Sequence, residues 1–233
     1  MVEIQKNYQI GVRRFGYVNY IGMWSLYKKE VLRFLNVIGQ TILGPIITSA
    51  LFLLVISLAI GDSRSDVLGV PYINFLLPGL IAMQVIGQAF SHSSSSLLMG
   101  KVMGNIVDTI SAPLSAVEVT FAIVLASVTR SLIIAFVSVI LFSLWIEINF
   151  QNFFFIIIYL FLSSFILGAC GFITGLWAEK FDHMSSVTNF FIVPLSFLSG
   201  TFYSVDRLPH FLQLISEYNP FFYMIDGFRY GFI

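Results

Sequence analysis

Few residues in this 233-residue chain are spaced for chemistry. Gly100-Lys101 is followed by Val102, and no Gly-x-x-x-x-Gly-Lys-Ser/Thr loop is present to cradle a phosphate. His92, His183 and His210 stand far apart, with no His-Glu-x-x-His to pair two of them on a metal. Cys170 is alone, which excludes an internal disulfide and a thiolate zinc site. No Gly-x-Ser-x-Gly elbow offers a serine nucleophile. Asp108, Glu118, Glu179 and Asp182 are not spaced as a general acid–base pair and read as solvated loop charges. The exception is Arg130, which stands inside an apolar run, where a charge is costly and usually faces a bundle interior or a water cavity. The sequence therefore offers no catalytic, cofactor-binding or metal-binding set.

Composition explains the scarcity. Hydrophobic residues make up 58% of the chain and charged residues 10%. Soluble domains carry about 25% charged residues. A soluble enzyme, a disordered segment and a nucleic-acid binder all fit poorly. Twelve Lys and Arg balance twelve Asp and Glu, so no strongly charged partner is implied. The composition points to an all-α polytopic membrane protein whose first partner is the lipid bilayer.

Charges mark where the chain leaves the hydrocarbon, which takes about 20 apolar residues to cross as a helix. Five runs qualify: roughly 37–60, 70–92, 117–144, 151–177 and 185–204. They lack strand alternation and are too long for barrel strands. Lys6, Arg13, Arg14, Lys28, Lys29 and Arg33 precede the first run, and Lys101 and Lys180 fall in loops on the same side. Arg64, Arg207 and Arg229 fall opposite. The positive-inside rule then predicts a cytoplasmic N-terminus, an uncleaved first span and, with five spans, an outside C-terminus.

Three regions lie outside the spans. Residues 19–35 mix Trp24 and Tyr27 with Lys28, Lys29, Glu30 and Arg33, which predicts a helix at the cytoplasmic interface. In the loop 91–116, Met99, Val102, Met103, Ile106, Val107 and Ile110 recur at helical spacing until Pro113. A helix over 99–112 follows, and its Met-rich face suits either a partner or its own bundle. Beyond Pro209, an apolar stretch broken at Asn219-Pro220 is too short to span and predicts a re-entrant or interfacial segment.

These motifs together resemble the membrane subunits of ABC-2 type transporters, the exporter-like ABC permeases of bacterial inner membranes, over nearly the whole chain. The tail carries the most specific part: Leu198-Ser199-Gly200, Phe202-Tyr203-Ser204, Leu208-Pro209, Asn219-Pro220, Tyr223-Met224 and Asp226 to Gly231, with Arg229 among them. Residues 104–113 resemble the family's coupling helix, Lys28 to Arg33 its elbow helix, and Phe75 through Pro78-Gly79 the entry to its second span. The resemblance implies a half-transporter over 1–233 with an elbow helix at 19–35 and an extracytoplasmic hairpin at 206–225. It further implies a second permease copy, most simply a homodimer, and a separate ABC ATPase that binds ATP and Mg. Met103, Ile106, Val107, Asp108 and Ile110 would be the ATPase-coupling residues. Family members carry a sixth span after the hairpin, which the sequence to Ile233 does not contain. Two other classes compete: a membrane-embedded enzyme acting on lipid-linked substrates, and an ATP-independent channel or secondary transporter. The first would need clustered carboxylates or histidines near one membrane face.

Overall fold

The structure, a computed structural model, describes residues 18–60, 67 and 69–233. Lys6, Arg13, Arg14, Asp62, Arg64 and Asp66, which enter the charge count above, lie outside the described residues. Among the described residues every element is helical, apart from an isolated bridge between Val67 and Val70. The elements are α1 (Tyr20–Leu35), α2 (Gly44–Ile60), α3 (Tyr72–Val102), α4 (Ile106–Ser111), α5 (Ala116–Ser143), α6 (Phe153–Trp177), α7 (Phe181–Val187), α8 (Val193–Phe197), α9 (His210–Glu217) and α10 (Pro220–Arg229).

Among the described residues, four helical segments are long and apolar enough to cross a membrane: Gly39–Ala59, Tyr72–Val102, Ala116–Ser143 and Phe153–Trp177. The expected fifth span, 185–204, is not one long helix. The helical path there runs from Phe181 to Phe197, is broken by a π turn at Thr188–Ile192, and ends in a turn at Gly200, where φ is +70°. At 1.5 Å per residue it reaches about 25 Å, close to a hydrocarbon core of about 30 Å, and it leads from the end of α6 to the C-terminal hairpin.

The second span is also longer than expected, continuing from residue 92 to Val102. Ser91 to Ser96 looked like the start of a loop, but two of their hydroxyls turn back onto the helix. Ser94 Oγ donates to the Phe90 carbonyl at 2.9 Å and Ser95 Oγ to the His92 carbonyl at 3.1 Å. Those two hydroxyls are thereby met inside the helix. The continuous helix expected over 99–112 is split instead. Its first residues complete α3, Gly104 takes φ +77°, and only Ile106–Ser111 forms α4. Glycine occupies this left-handed position without the Cβ penalty and ends α3, with the Gly104 N–H donating to the Lys101 carbonyl at 3.2 Å.

α3 is the hub. It packs against α5, α6 and α10, and Phe75, Leu76, Val85, Ile86, Ala89 and Phe90 are buried along it. α6 reaches α3 closely at Gly171, where an added Cβ would sit 2.3 Å from the Phe90 carbonyl oxygen. Small residues allow such backbone approach between membrane helices. α2 differs: Leu51, Leu54, Val55 and Leu58 are exposed, as suits an apolar helix facing lipid or another chain.

Among the described residues, two π turns interrupt the helices, at Gly39–Leu43 ahead of α2 and at Thr188–Ile192 ahead of α8. Each is followed two residues later by a proline, Pro45 and Pro194. A proline clashes with the carbonyl four residues back and cannot bond it, and the wider π turn accommodates that defect.

The bundle has two distinct ends. One gathers α1, α4, the start of α5 and the ends of α3 and α6. The other gathers the start of α3, the end of α5 and the C-terminal hairpin. There Asn74 Nδ2 donates to the Glu147 carbonyl at 3.2 Å and Tyr72 Oη to the Phe202 carbonyl at 2.9 Å. The Gln151 N–H reaches the Gly231 carbonyl at 3.0 Å.

Candidate coupling face and intramembrane arginine

α4 has two unlike faces. Ile106 packs inward against Leu97, Ile123, Val124 and Phe172, beside Gly100. Met103, Val107 and Ile110 point away from the bundle and are 63%, 61% and 75% exposed. The apolar set expected to act as one docking stripe is therefore divided, with Ile106 held by its own bundle. Asp108 is exposed and lines a cleft of about 390 Å³ with Asn19, Gly22, Lys29, Thr109 and Pro113.

The cleft is fixed by polar contacts between α1 and the start of α5. Ser115 and Glu118 form a capping box at the head of α5. Glu118 also accepts from the Asn19 N–H, while Asn19 Nδ2 donates to the Pro113 carbonyl at 3.0 Å. Glu118 is buried rather than a solvated loop charge. The Ser115-x-x-Glu118 spacing was the available signal.

Arg130 is buried in α5. Its Nη2 donates to Gln88 Oε1 on α3 and, at 3.2 Å, to the Thr41 carbonyl within the first π turn. Pro45 has no N–H to offer that carbonyl four residues back, so the arginine meets a need created by the sequence. One side chain thus ties α5 to α3 and to the start of α2. Arg130→Leu leaves both acceptors bare, at about 1–3 kcal/mol for each buried group. We expect a lower melting temperature in detergent for Arg130→Leu, with Arg130→Lys in between. An unchanged melting curve for Arg130→Leu would show that the contacts carry no stability.

A second buried polar group was missed by sequence reasoning. Glu30 turns inward from α1, with Arg33 Nη2 at 3.0 Å, Ser96 Oγ at 2.7 Å and His92 Nε2 at 3.8 Å. Within residues 19–35, Glu30 was indistinguishable from charges facing the headgroups. His183 and His210 lie on α7 and α9, apart from His92. Among the described residues no three His, Cys, Asp or Glu side chains gather as metal ligands.

The hairpin motif forms a staple. Asn219 caps α10 by accepting from the Phe221 N–H at 3.0 Å, and its Nδ2 donates to the Leu195 carbonyl at 2.7 Å. Pro220 opens α10 at a position where no N–H is needed. Arg229 is buried, donates to the Gly200 carbonyl at 2.8 Å and lies 3.9 Å over the Phe75 ring. Asp226 stands 3.7 Å from Arg229 and is largely exposed. The second limb runs to Arg229, beyond the expected 225, and buries Phe221, Ile225 and Phe228.

A bundle of membrane-length helices with an exposed apolar turn and a stapled hairpin narrows the choice of family, and the comparison with known families decides it. Residues 22–233 match the ABC-2 type transporter family model. The chain belongs to the ABC-2 type transporter family. Among curated relatives, the Inner membrane transport permease YadH of Escherichia coli (strain K12) is 33% identical over 214 residues, covering 92% of this chain and 84% of the relative. The proteins of the same name from Escherichia coli O157:H7 and Shigella flexneri match at the same 33% identity over the same shares. Membership gives the helices a collective role: this ABC-2 chain is a membrane transport permease.

Proposed function

We propose that this chain is the membrane half of an ATP-driven ABC exporter in a bacterial inner membrane. Two copies form the substrate path, and a separate ABC ATPase, which binds ATP and Mg, drives it. The observation that carries this reading is the exposed edge of α4. Met103, Val107 and Ile110 are large apolar side chains outside any span, on a turn between two spans, and turned away from the bundle. Such a face suits docking to a protein. In this reading α1, α4 and the end of α6 face the cytoplasm, and α9 with the start of α10 lies outside. Export is favoured by the family resemblance.

The test is co-expression with an ABC ATPase from the same genome, followed by purification on a permease tag. Stoichiometric recovery of an ATPase that hydrolyses ATP supports the assignment. Recovery of the permease alone, in intact membranes as well as detergent, removes the coupling role.

Sidedness has its own test. The cytoplasmic probe is placed at Asn105, which is exposed in the turn before α4. In a Cys170→Ser background, Glu217→Cys is expected to react with an impermeant maleimide in whole cells, and Asn105→Cys only after permeabilisation. The reverse pattern would invert the orientation.

A further inference from the structure

Lys101 sits in the last turn of α3, two residues before the exposed Met103. Its Nζ donates to the carbonyl of Leu176 and, at 3.0 Å, to that of Ala178. Both carbonyls lie at the end of α6, where the last four have no helical partner. An ammonium there forms charge-assisted hydrogen bonds and opposes the negative end of the helix dipole. Ala178 is fully buried and leads within three residues into α7. Lys101 is thus the polar link from the α3–α4 turn to the α6–α7 turn.

A push on α4 has few ways into the bundle. Gly104, at φ +77°, has no neighbour within 4 Å of its Cβ position, so the turn itself transmits little by packing. Ile106 passes load to the apolar cluster of Leu97, Ile123, Val124 and Phe172. Such contact slides more readily than a directed hydrogen bond. Lys101 adds direction toward α6, since its donors fix the end of α6 to the end of α3. The α6–α7 turn in turn opens the helical path that contains the second π turn and α8.

We propose that Lys101 is a positioning residue for energy coupling: it makes the α6–α7 turn follow the α4 docking face when the ATPase moves. This rests on the permease–ATPase reading above.

The experiment uses the permease–ATPase complex in nanodiscs, with a bimane label on Trp177→Cys in a Cys170→Ser background. Trp177 is the last residue of α6 and is exposed. With Lys101 intact, ATP is expected to shift the emission of the label. In Lys101→Met the ATPase should still co-purify and hydrolyse ATP, but the shift should fall at least tenfold. Lys101→Arg, which keeps charged donors, should restore it. A capping role confined to stability would lower the melting temperature and leave the ATP-dependent shift in place, which would overturn the proposal. Should Lys101→Met not fold, Lys101→Gln keeps an amide donor without the charge and is expected to give a reduced shift. A full shift in Lys101→Gln would equally overturn the proposal. If the ATPase fails to co-purify with Lys101 intact, the coupling reading falls and the proposal with it. If it co-purifies and every variant shifts alike, only the role of Lys101 falls.

Discussion

Adding one methyl group at Gly171 is expected to destabilise the bundle, while the same change at Gly87 stabilises it. The two glycines lie in the two spans that pack most closely, α6 and α3. At Gly171 the new Cβ would lie 2.3 Å from the Phe90 carbonyl oxygen and 3.0 Å from its Cα. Those atoms are backbone of the central helix and cannot swing aside, so α3 and α6 must separate. Overpacking typically costs about 1–3 kcal/mol, and rigid backbone on the receiving side places Gly171→Ala at about 3. At Gly87 no atom lies within 4 Å of the Cβ position. There the helical preference of Ala over Gly, about 0.5–1 kcal/mol, acts alone. Melting of the purified permease in one detergent measures both. Equal shifts of the same sign would mean that α3 and α6 do not approach at Gly171 as described.

Val107→Asp is expected to separate the permease from its ATPase without unfolding it. Val107 is 61% exposed, so the substitution costs the free chain little, within about 0.5 kcal/mol as for other surface changes. In a docked complex the same side chain would be covered. Burying Met103, Val107 and Ile110 is worth about 1.5–3 kcal/mol each before ordering costs. A carboxylate in that contact forfeits one share and adds an unpaired charge. A loss of at least about tenfold in affinity follows, at 1.4 kcal/mol per factor of ten. Pull-down of the ATPase and its hydrolysis rate in the complex read the effect. Ile106→Asp is a poor substitute, because Ile106 serves the bundle itself and its loss confounds docking with folding. Retention of the ATPase by a folded Val107→Asp permease would rule out α4 as the docking face.

The spans were legible in the sequence because the hydrocarbon sets a length and excludes charge, which leaves runs that can be counted. Their ends were less legible. Ser91 to Ser96 has the composition of a loop, yet a serine can return its hydroxyl to its own helix, and composition does not reveal which it does. The fifth run was uncharged throughout, and the early end of its helix reflects the turn at Gly200 rather than any charge. At the candidate site, periodicity found the apolar residues of α4 but not the division between them. Ile106 and Val107 are adjacent, and only the cluster of Leu97, Ile123, Val124 and Phe172, drawn from three helices, turns one inward. Arg130 was conspicuous in its apolar run, but Gln88 lies 42 residues away and carries no sequence mark of the pairing. Glu118 was readable from the capping-box spacing with Ser115, and Glu30 was not, since its burial depends on where α1 lies against α3.

The two π turns bear on how the family's sequences are to be aligned. A π turn winds in one residue more than the α turn it replaces, which offsets the faces on either side by about 100°. A relative that lacks Pro45 has no clash to relieve and can close an ordinary α turn in its place. Such a relative keeps the same lipid-facing and bundle-facing surfaces only by omitting one residue between Gly39 and Leu43. A gap-free alignment across that stretch would then compare residues on different faces, Thr41 included, and Arg130 would seem to lose its partner where the partner has merely moved by one position. The same holds for Thr188–Ile192 and Pro194. Single-residue gaps at these two places, inherited together with the loss of the proline, would mark an evolutionary change of winding in a fold that is otherwise kept.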